Sequence, residues 1–318
     1  YMFMEFGLHS MNKTDKIFVA GHNGLVGSAI VRKLTSDGYT NILTVDKQVL
    51  DLKNQLSVKS WFVKNQPDYV FLAAAKVGGI HANNTYPVDF ITDNLLIQNN
   101  VITSAHEYKV KKLMFLGSVC IYPKYATIPV KEESLLSGEL EPTNEWYAIA
   151  KISGIKQCQA YRKQYNDNFI SVMPCNLYGV RDNFHPTNSH VLPALIRRFH
   201  EAKINNLNEV VCWGDGSARR EFLNSDDIAD ACVFLMNNYD SPEIINIGCG
   251  NDYTIKEIVE IIKEVVGYNG NIIWDTSKPN GTPKRLLDNT KLSKLGWSPK
   301  VDLKRGLKDT YNWYINNI

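Results

Sequence analysis

Tyr147 and Lys151 lie four residues apart, so a helix would set a phenol and an ammonium on one face within reach of each other. An ammonium beside a phenol stabilises the phenolate and draws the phenol's pKa toward neutrality. A phenol tuned in this way can exchange a proton with a carbonyl or an alcohol near neutral pH. Such pairs arise by chance in many helices, and the neighbourhood decides what this one means. It follows the run Ser118-Val119-Cys120-Ile121-Tyr122-Pro123, which begins where an apolar strand over residues 112–116 delivers Gly117 and Ser118. Far upstream, Gly21-His22-Asn23-Gly24-Leu25-Val26-Gly27 stands between an apolar strand at 16–20 and an amphipathic helix reaching residue 36. A strand, glycines at spacings of three, and a helix are the context that turns a glycine motif into a dinucleotide site. Gly21 permits the tight turn, Gly24 lets the backbone approach a pyrophosphate, and Gly27 lets the helix lie on the sheet. The first helical N–H groups, around Leu25 and Val26, would then face the phosphates. The chemistry this suggests is hydride transfer at a ketone.

Positioning these groups is the task of alternating strands and helices. Strands are expected at 16–20, 41–45, 69–74, 112–116 and 169–173, with a helix that opens in the glycine run and reaches about 36 and helices at 87–108 and 143–165 between them. That order predicts an α/β fold, a Rossmann-type doubly wound parallel sheet. Ligands on such sheets bind outside the carboxyl ends of the strands. Gly21, the small residues Ala73, Ala74 and Ala75, Ser118, and Pro174, Asn176 and Leu177 all fall at those ends, so the motifs converge on one crevice. The second strand ends at Asp46-Lys47. An acid there suits the adenosine ribose of NAD and a base suits the 2′-phosphate of NADP, so the local chemistry leaves the cofactor open. Asp51-Leu52 follows in a loop where an adenine would sit. Beyond residue 180 the alternation loosens into helices at 191–202, 226–236, 254–266 and 303–315, a strand-like 210–213, and a segment at 244–247 that is expected to return to the main sheet. The division expected is a dinucleotide domain over 11–180 and a smaller, mixed α/β C-terminal substrate lobe over 181–318. Residues 1–10 precede Met11 and lack the basic start and apolar core of a signal peptide. They read as a cloning remnant or unstructured leader.

Composition narrows the classes. A chain of 318 residues, 44% apolar and 21% charged, is that of a soluble globular protein with a sizeable core. A formal net charge of +2 gives no reason to expect nucleic acid or an anionic membrane as partner. Any phosphate site must be built locally. No apolar run approaches the ~18 residues of a membrane span. Six dispersed cysteines without a Cys-x-x-Cys pair suit a reduced cytoplasm better than a disulfide framework or a zinc site. The histidines show no metal spacing, so no metal is expected.

Taken together, Gly21-x-x-Gly24-x-x-Gly27, Ser118 and Tyr147-x-x-x-Lys151 resemble the extended short-chain dehydrogenase/reductase superfamily. The resemblance narrows over Leu72-Ala-Ala-Ala-Lys-Val-Gly-Gly-Ile80, Asn83-Asn-Thr-Tyr-Pro87, Cys120-Ile-Tyr-Pro123, Glu141-Pro-Thr-Asn144, Tyr147-Ala-Ile-Ala-Lys151 and Asp182-Asn-Phe-His-Pro-Thr-Asn-Ser-His190. These runs are similar to the GDP-L-fucose synthase family, from about residue 16 to the C-terminus. The resemblance implies conversion of GDP-4-keto-6-deoxymannose to GDP-L-fucose, with epimerisation at C3 and C5 followed by NADPH reduction at C4. It implies Ser118, Tyr147 and Lys151 as the reduction triad and Cys120 and His190 as epimerisation base and acid. Protons beside a ketone are acidic because the carbanion delocalises as an enolate, which Ser118 and Tyr147 would hold. A thiolate on one face and an imidazolium on the other would then invert the centre.

The resemblance also implies cofactor contacts from Asn23, Asp46, Lys47, Asp51, Leu52, Tyr147, Lys151 and His190. The GDP-sugar would lie against Ser118, Val119, Cys120, Asn176, Arg198, Trp213, Arg220, Lys284 and Asp288, with Arg220 favoured for the pyrophosphate because a planar guanidinium matches it. A homodimer through the 87–108 and 143–165 helices is implied as well. The chain departs from the family at Asn23, where members often carry an arginine, at Asp46, an acid beside the adenosine phosphate, and at Val119 and Trp146 around the catalytic pair. Relatives that act on GDP-4-keto-6-deoxyheptoses in surface-polysaccharide synthesis, some reducing C4 only, are the competing reading. A 4,6-dehydratase would need an Asp-Glu pair where Val119-Cys120 stand. A simple C4 epimerase has no need of Cys120 and His190. A non-catalytic dinucleotide-sensing protein would be expected to have lost Tyr147 or Lys151.

Overall fold

The computed structural model describes residues 10–186, 188–278, 280 and 282–317. Apart from Ser10, the expected leader lies outside the described residues. Twelve strands are described: β1 Ile17–Ala20, β2 Ile42–Leu43, β3 Tyr69–Leu72, β4 Lys112–Leu116, β5 Phe169–Pro174, β6 Asn176–Tyr178, β7 Glu209–Trp213, β8 Arg219–Asn224, β9 Ile245–Ile247, β10 Asp252–Thr254, β11 Asn271–Asp275 and β12 Lys284–Arg285. The helices are α1 Leu25–Ser36, α2 Gln55–Asn65, α3 Ile80–Thr85, α4 Pro87–Glu107, α5 Glu145–Tyr165, α6 Val191–Ile204, α7 Ser225–Asn238, α8 Ile255–Val266, α9 Thr290–Lys294 and α10 Leu303–Asn317.

The first strands are short, mostly apolar runs because both faces of the sheet they form are covered. Every residue of β1, β3, β4 and β5 is buried. Six parallel strands run in the order β2-β1-β3-β4-β5-β9. Helices α1 and α7 pack together over one face, and α2, α4 and α5 over the other. The order reverses beside β1, so the crevice outside the carboxyl ends of β1 and β3 is the topological switch point, where such folds bind ligands. The segment at 244–247 pairs with β5, Val172 opposite Ile245.

The later chain builds a second apolar core, with Tyr178, Phe199, Ile258, Leu307 and Tyr314 among its members. It packs under a small sheet ordered β10-β8-β12, with β6 also on β8, and under the pair β7-β11. Two buried side chains tie this region to the first. Glu221, 1% exposed, accepts from Gly250 N and Leu287 N through its two carboxylate oxygens. Asn246, fully buried, donates to Val130 O and Asp288 O and accepts from the Tyr122 hydroxyl.

Several boundaries differ from the sequence reading. The strand expected at 41–45 pairs only over Ile42–Leu43, since it is an edge with one neighbour. Helix α5 starts at Glu145 because Pro142–Asn144 forms a 3-10 turn first. Helix α2 was not anticipated: only Val58 and Phe62 of its residues are buried, too few for a clear apolar stripe. Strand β8 was missed because Arg219, Arg220 and Glu221 make it read as a charged loop. No described helix is long and apolar enough to cross a membrane.

Candidate active site

At the switch point the glycines divide by what demands them. A Cβ on Gly21 would lie 2.7 Å from Ala74 N, and one on Gly27 would lie 2.1 Å from Gly21 O. Both glycines are therefore required by the protein's own packing, Gly21 also by its left-handed φ of +87°. Gly24 is different. Its φ is ordinary, at −79°, and a Cβ there would meet only Gly21 O, at 3.5 Å. Nothing in the chain excludes a side chain at Gly24, which leaves open backbone at the N-terminus of α1. This fits a dinucleotide pyrophosphate, whose charge the exposed N–H groups of α1 would balance. Leu25 and Val26 begin that helix.

The walls of this crevice are fixed by asparagines of α4. Asn94 accepts from Lys76 N and donates to Lys76 O, holding the loop just beyond Ala73, Ala74 and Ala75. Asn100 donates to Leu52 O, anchoring the turn that carries Asp51. At the adenosine end Asn23 Nδ2 donates to Asp46 Oδ1 at 2.7 Å, and His22 Nε2 lies 3.4 Å from the same oxygen. Lys47 makes no ion pair among the described residues. A free ammonium beside a carboxylate that is already engaged is a suitable place for a ribose phosphate. Pro174, Asn176 and Leu177 flank the carboxyl end of β5, where Asn176 Nδ2 donates to Glu221 O at 3.1 Å.

The catalytic pair sits where β4 meets α5. Gly154 lets the helix lie on the strand, since a Cβ there would come within 2.3 Å of the Phe115 ring. Lys151 is 4% exposed, and its Nζ donates to Leu116 O at 2.8 Å. Burial lowers its pKa to about 8, with the charge of Cys120 opposing the shift. Its ammonium stands 5.7 Å from the centre of the Tyr147 ring. Phe90 meets that ring edge to face. The expectation that Lys151 draws the Tyr147 phenol toward neutrality is corrected here. Burial pushes the phenol well above its ordinary value, helped by the nearby sulfur of Cys120, and the hydrogen bond with Ser118 only partly offsets this. The physical reason is that Lys151 spends its proton on a backbone carbonyl while the phenol loses its hydration. A phenol held protonated is the form that can give a proton to a ketone oxygen as it is reduced.

Ser118 and Cys120 share one short 3-10 turn, Val119–Ile121, with Ser118 as its N-cap. The Ser118 hydroxyl accepts from Cys120 N at 3.3 Å. The sulfur is only partly buried, and Asn144 Nδ2 donates to it at 3.2 Å. Beneath it, buried Tyr122 is tied to Asn246. His190 precedes α6 and is brought to the crevice by a loop that docks on Gly79, whose N–H donates to Asn188 O. A Cβ on Gly79 would strike Ser189 O at 2.8 Å, so only glycine permits this docking. His190 is an exposed residue by accessible surface, yet the protein around its ring lowers its pKa below the usual 6.5. The imidazolium expected from sequence is thus a minority form at neutral pH.

The residues expected to meet a nucleotide diphosphate separate into two groups. Parallel pairing of β12 with β8 sets Lys284 opposite Arg219 and Arg285 opposite Arg220. Arg219 and Lys284 both pair with Asp252, each at 2.9 Å. Arg220 has no carboxylate partner among the described residues, and burial and the like charge of Arg285 lower its pKa. Arg220 with Arg285 is therefore the available cationic pair, and Lys284 is already neutralised. Asp288 accepts from Thr290 N within its own turn, and its backbone is tied to Val130 and Asn246. Nothing in these contacts directs its carboxylate toward a ligand. Arg198 donates to Val211 O and lines a surface hollow with Trp213, which is 65% exposed. Val119 is partly buried beside Ser118, while Trp146 is 44% exposed. The sequence reading gave no role to Asn144, and it set Arg285 beside Lys284 in a stretch that could contact the GDP ribose and phosphates without separating the two. An asparagine just before a helix is ordinarily taken as its cap, and a strand register is invisible in one sequence. Among the described residues no group of three or more His, Cys, Asp or Glu could hold a metal ion.

A doubly wound sheet with a pyrophosphate cradle at its switch point and Ser, Tyr and Lys converging beside it defines a dinucleotide-dependent oxidoreductase. Residues 17–248 match the NAD dependent epimerase/dehydratase family. A putative GDP-L-fucose synthase 2 of Arabidopsis thaliana is 62% identical, the match covering 99% of this chain and 96% of that one. The GDP-L-fucose synthase of Escherichia coli K12 is 51% identical over 95% and 97% of the two chains. Among solved structures, a GDP-mannoheptose C4 reductase from Campylobacter jejuni with NADP bound superposes with a TM-score of 0.89 at 41% identity, covering 96% of this chain and all of that one. The chain belongs to the NAD dependent epimerase/dehydratase family, within its GDP-L-fucose synthase branch.

Proposed function

We propose that this protein reduces the C4 ketone of a GDP-4-keto-6-deoxy sugar with NADPH after epimerising C3 and C5, the GDP-L-fucose synthase reaction. The observation that carries the reading is Cys120 on the same turn as Ser118, with its sulfur beside Tyr147 and Lys151. Bound NADPH would supply the hydride that reaches C4. In the first half, the Cys120 thiolate removes the proton from a carbon beside the ketone. The C–H electron pair moves to the ketone oxygen, and Ser118 and Tyr147 donate hydrogen bonds to the enolate that results. Each such donor is worth roughly 10²–10³ in rate. His190, protonated from solvent, returns a proton to the opposite face. In the second half Tyr147 protonates the C4 oxygen, and Lys151 sustains the phenol's proton exchange.

Gly21, Asn23, Gly24, Leu25, Val26, Gly27 and Lys47 are assigned to the cofactor, and Arg220 with Arg285 to the GDP phosphates. Residues 11–180 would then serve chiefly the dinucleotide and 181–318 the sugar nucleotide. A homodimer is proposed through α4 and α5, which leave Val88 70%, Leu96 41% and Ile149 38% exposed. A cytoplasmic location accords with six free cysteines. The second reading, reduction of a GDP-4-keto-6-deoxyheptose at C4 alone, is favoured by the likeness to the Campylobacter reductase. Comparing NADPH consumption with the hexose and the heptose substrate separates them. A kcat/KM for the heptose above that for the hexose would reject the first reading.

A further inference from the structure

Asn144 occupies the N-cap of α5, where an asparagine oxygen ordinarily accepts a hydrogen bond from the first turn. It makes no such bond. Its Oδ1 is instead buried with no hydrogen-bond partner, while its Nδ2 donates to Cys120 Sγ at 3.2 Å. A good capping residue has thus been left uncapping, with its carbonyl oxygen unsatisfied, so that its N–H can face a sulfur.

The direction of that amide is informative. A neutral thiol accepts only weakly through its sulfur and would be better served by Oδ1 facing it, as an acceptor for S–H. A thiolate is an acceptor and is stabilised by an N–H. Turned as it is, Asn144 serves the thiolate. It is also mechanically suited to do so: it ends the 3-10 turn Pro142–Asn144, which packs against α3, and lies one helical turn before Tyr147. From the other side, Ser118 Oγ fixes the backbone of Cys120.

We propose that Asn144 is a positioning residue of the epimerisation half, holding Cys120 as a thiolate aimed at the sugar at the expense of capping α5. This rests on the proposed function, in which Cys120 is the base. When the thiolate takes the substrate proton it becomes a thiol and the electron pair passes to the ketone oxygen. The Asn144 N–H then loses its anionic acceptor, which favours return of the sulfur to the thiolate once its proton passes to solvent.

The test uses Asn144→Ser, which removes the amide but keeps a competent cap, and Asn144→Ala, which removes both. Iodoacetamide labelling at neutral pH, followed peptide by peptide, reads thiolate at Cys120. Partly exposed Cys249, whose thiol burial and Glu221 push up to about 11, is the internal control. Both variants are expected to label Cys120 roughly tenfold more slowly, the worth of one hydrogen bond to a charged group, with Cys249 unchanged. The thermal midpoint of Asn144→Ser should equal or exceed that of the wild type, and deuterium entry at C3 and C5 should fall in step with labelling. Wild-type labelling in Asn144→Ser would overturn the proposal, as would parallel changes at Cys120 and Cys249 with a lowered midpoint, which mark a structural role. A wild-type protein that takes up no deuterium would instead remove epimerisation from the proposed function, and the labelling ratio alone would then decide the role of Asn144.

Discussion

The two halves of the active site are built from different material. The hydride side rests on the end of a buried central strand and the inner face of a long helix. Lys151 is locked by Leu116 O, Gly154 seats α5 on Phe115, and Gln98 of α4 donates to Ala150 O. The proton side hangs on a three-residue turn and a loop. Cys120 is held by Ser118 and Asn144, and His190 arrives through the docking of Asn188 on Gly79. The lesson is that reduction is positioned by the core of the fold, whereas epimerisation is positioned by side-chain hydrogen bonds laid over it. Changes to loops should therefore remove epimerisation while leaving the scaffold for reduction in place, and the reverse should be difficult.

The strongest way to break this contrast is Tyr147→Phe. Loss of the phenolic proton should lower kcat for C4 reduction by roughly 10³-fold, within the range for a general acid. The circular dichroism and thermal midpoint should be unchanged, and near-wild-type turnover would remove Tyr147 from the chemistry. Next comes Cys120→Ser. Deuterium entry at C3 and C5 should drop by at least ~10², while reduction of a ketone already in the product configuration falls far less. Equal losses in both would erase the distinction between the halves. Arg220→Met should weaken GDP binding roughly tenfold or more, the worth of a charge-assisted hydrogen bond, with NADPH affinity unaffected in the same titrations. Lys47→Ala should raise the Kd of NADPH by about fivefold to tenfold, in the range of one exposed ionic contact, and that of NADH by less. Equal effects would reject a 2′-phosphate role for Lys47.

The smallest expected effect is on pH dependence. Lys151 is charged below about 8 and loses its proton as the pH rises through that value. Reduction should therefore decline on the alkaline side from about pH 8, well before an ordinary lysine would titrate. In Lys151→Arg the guanidinium keeps its charge, so whatever activity survives should lose that alkaline limb.

Much of this was legible in the sequence because buried parallel strands and glycine turns leave strong local signatures. The run Ile17-Phe18-Val19-Ala20 cannot be other than covered on both faces, and Gly27 is forced by a contact with nearby Gly21, although Gly21 itself is forced by distant Ala74 as well as by its left-handed φ. Tyr147 and Lys151 declare themselves by helical spacing. Features that depend on distant partners were not legible. The electrostatics of Tyr147 reversed because burial outweighed a neighbour that had turned to Leu116 O. Lys284 looked like a phosphate ligand until Asp252, brought across by β10, paired with it. Strand β8 carries charged residues because partners from elsewhere in the chain engage them: Asp252 pairs with Arg219, and Gly250 N and Leu287 N donate to Glu221. Asn144 looked like a helix cap until the structure set a sulfur next to it.

The central claim is that one chain carries both halves of the reaction. The most direct test is to convert GDP-4-keto-6-deoxymannose with NADPH in D₂O and examine the product by NMR. The account requires GDP-L-fucose with deuterium at C3 and C5 and the hydride-derived protium at C4. A C4-reduced sugar that keeps the original configuration and carries no deuterium at C3 or C5 would contradict it and leave this protein a reductase alone.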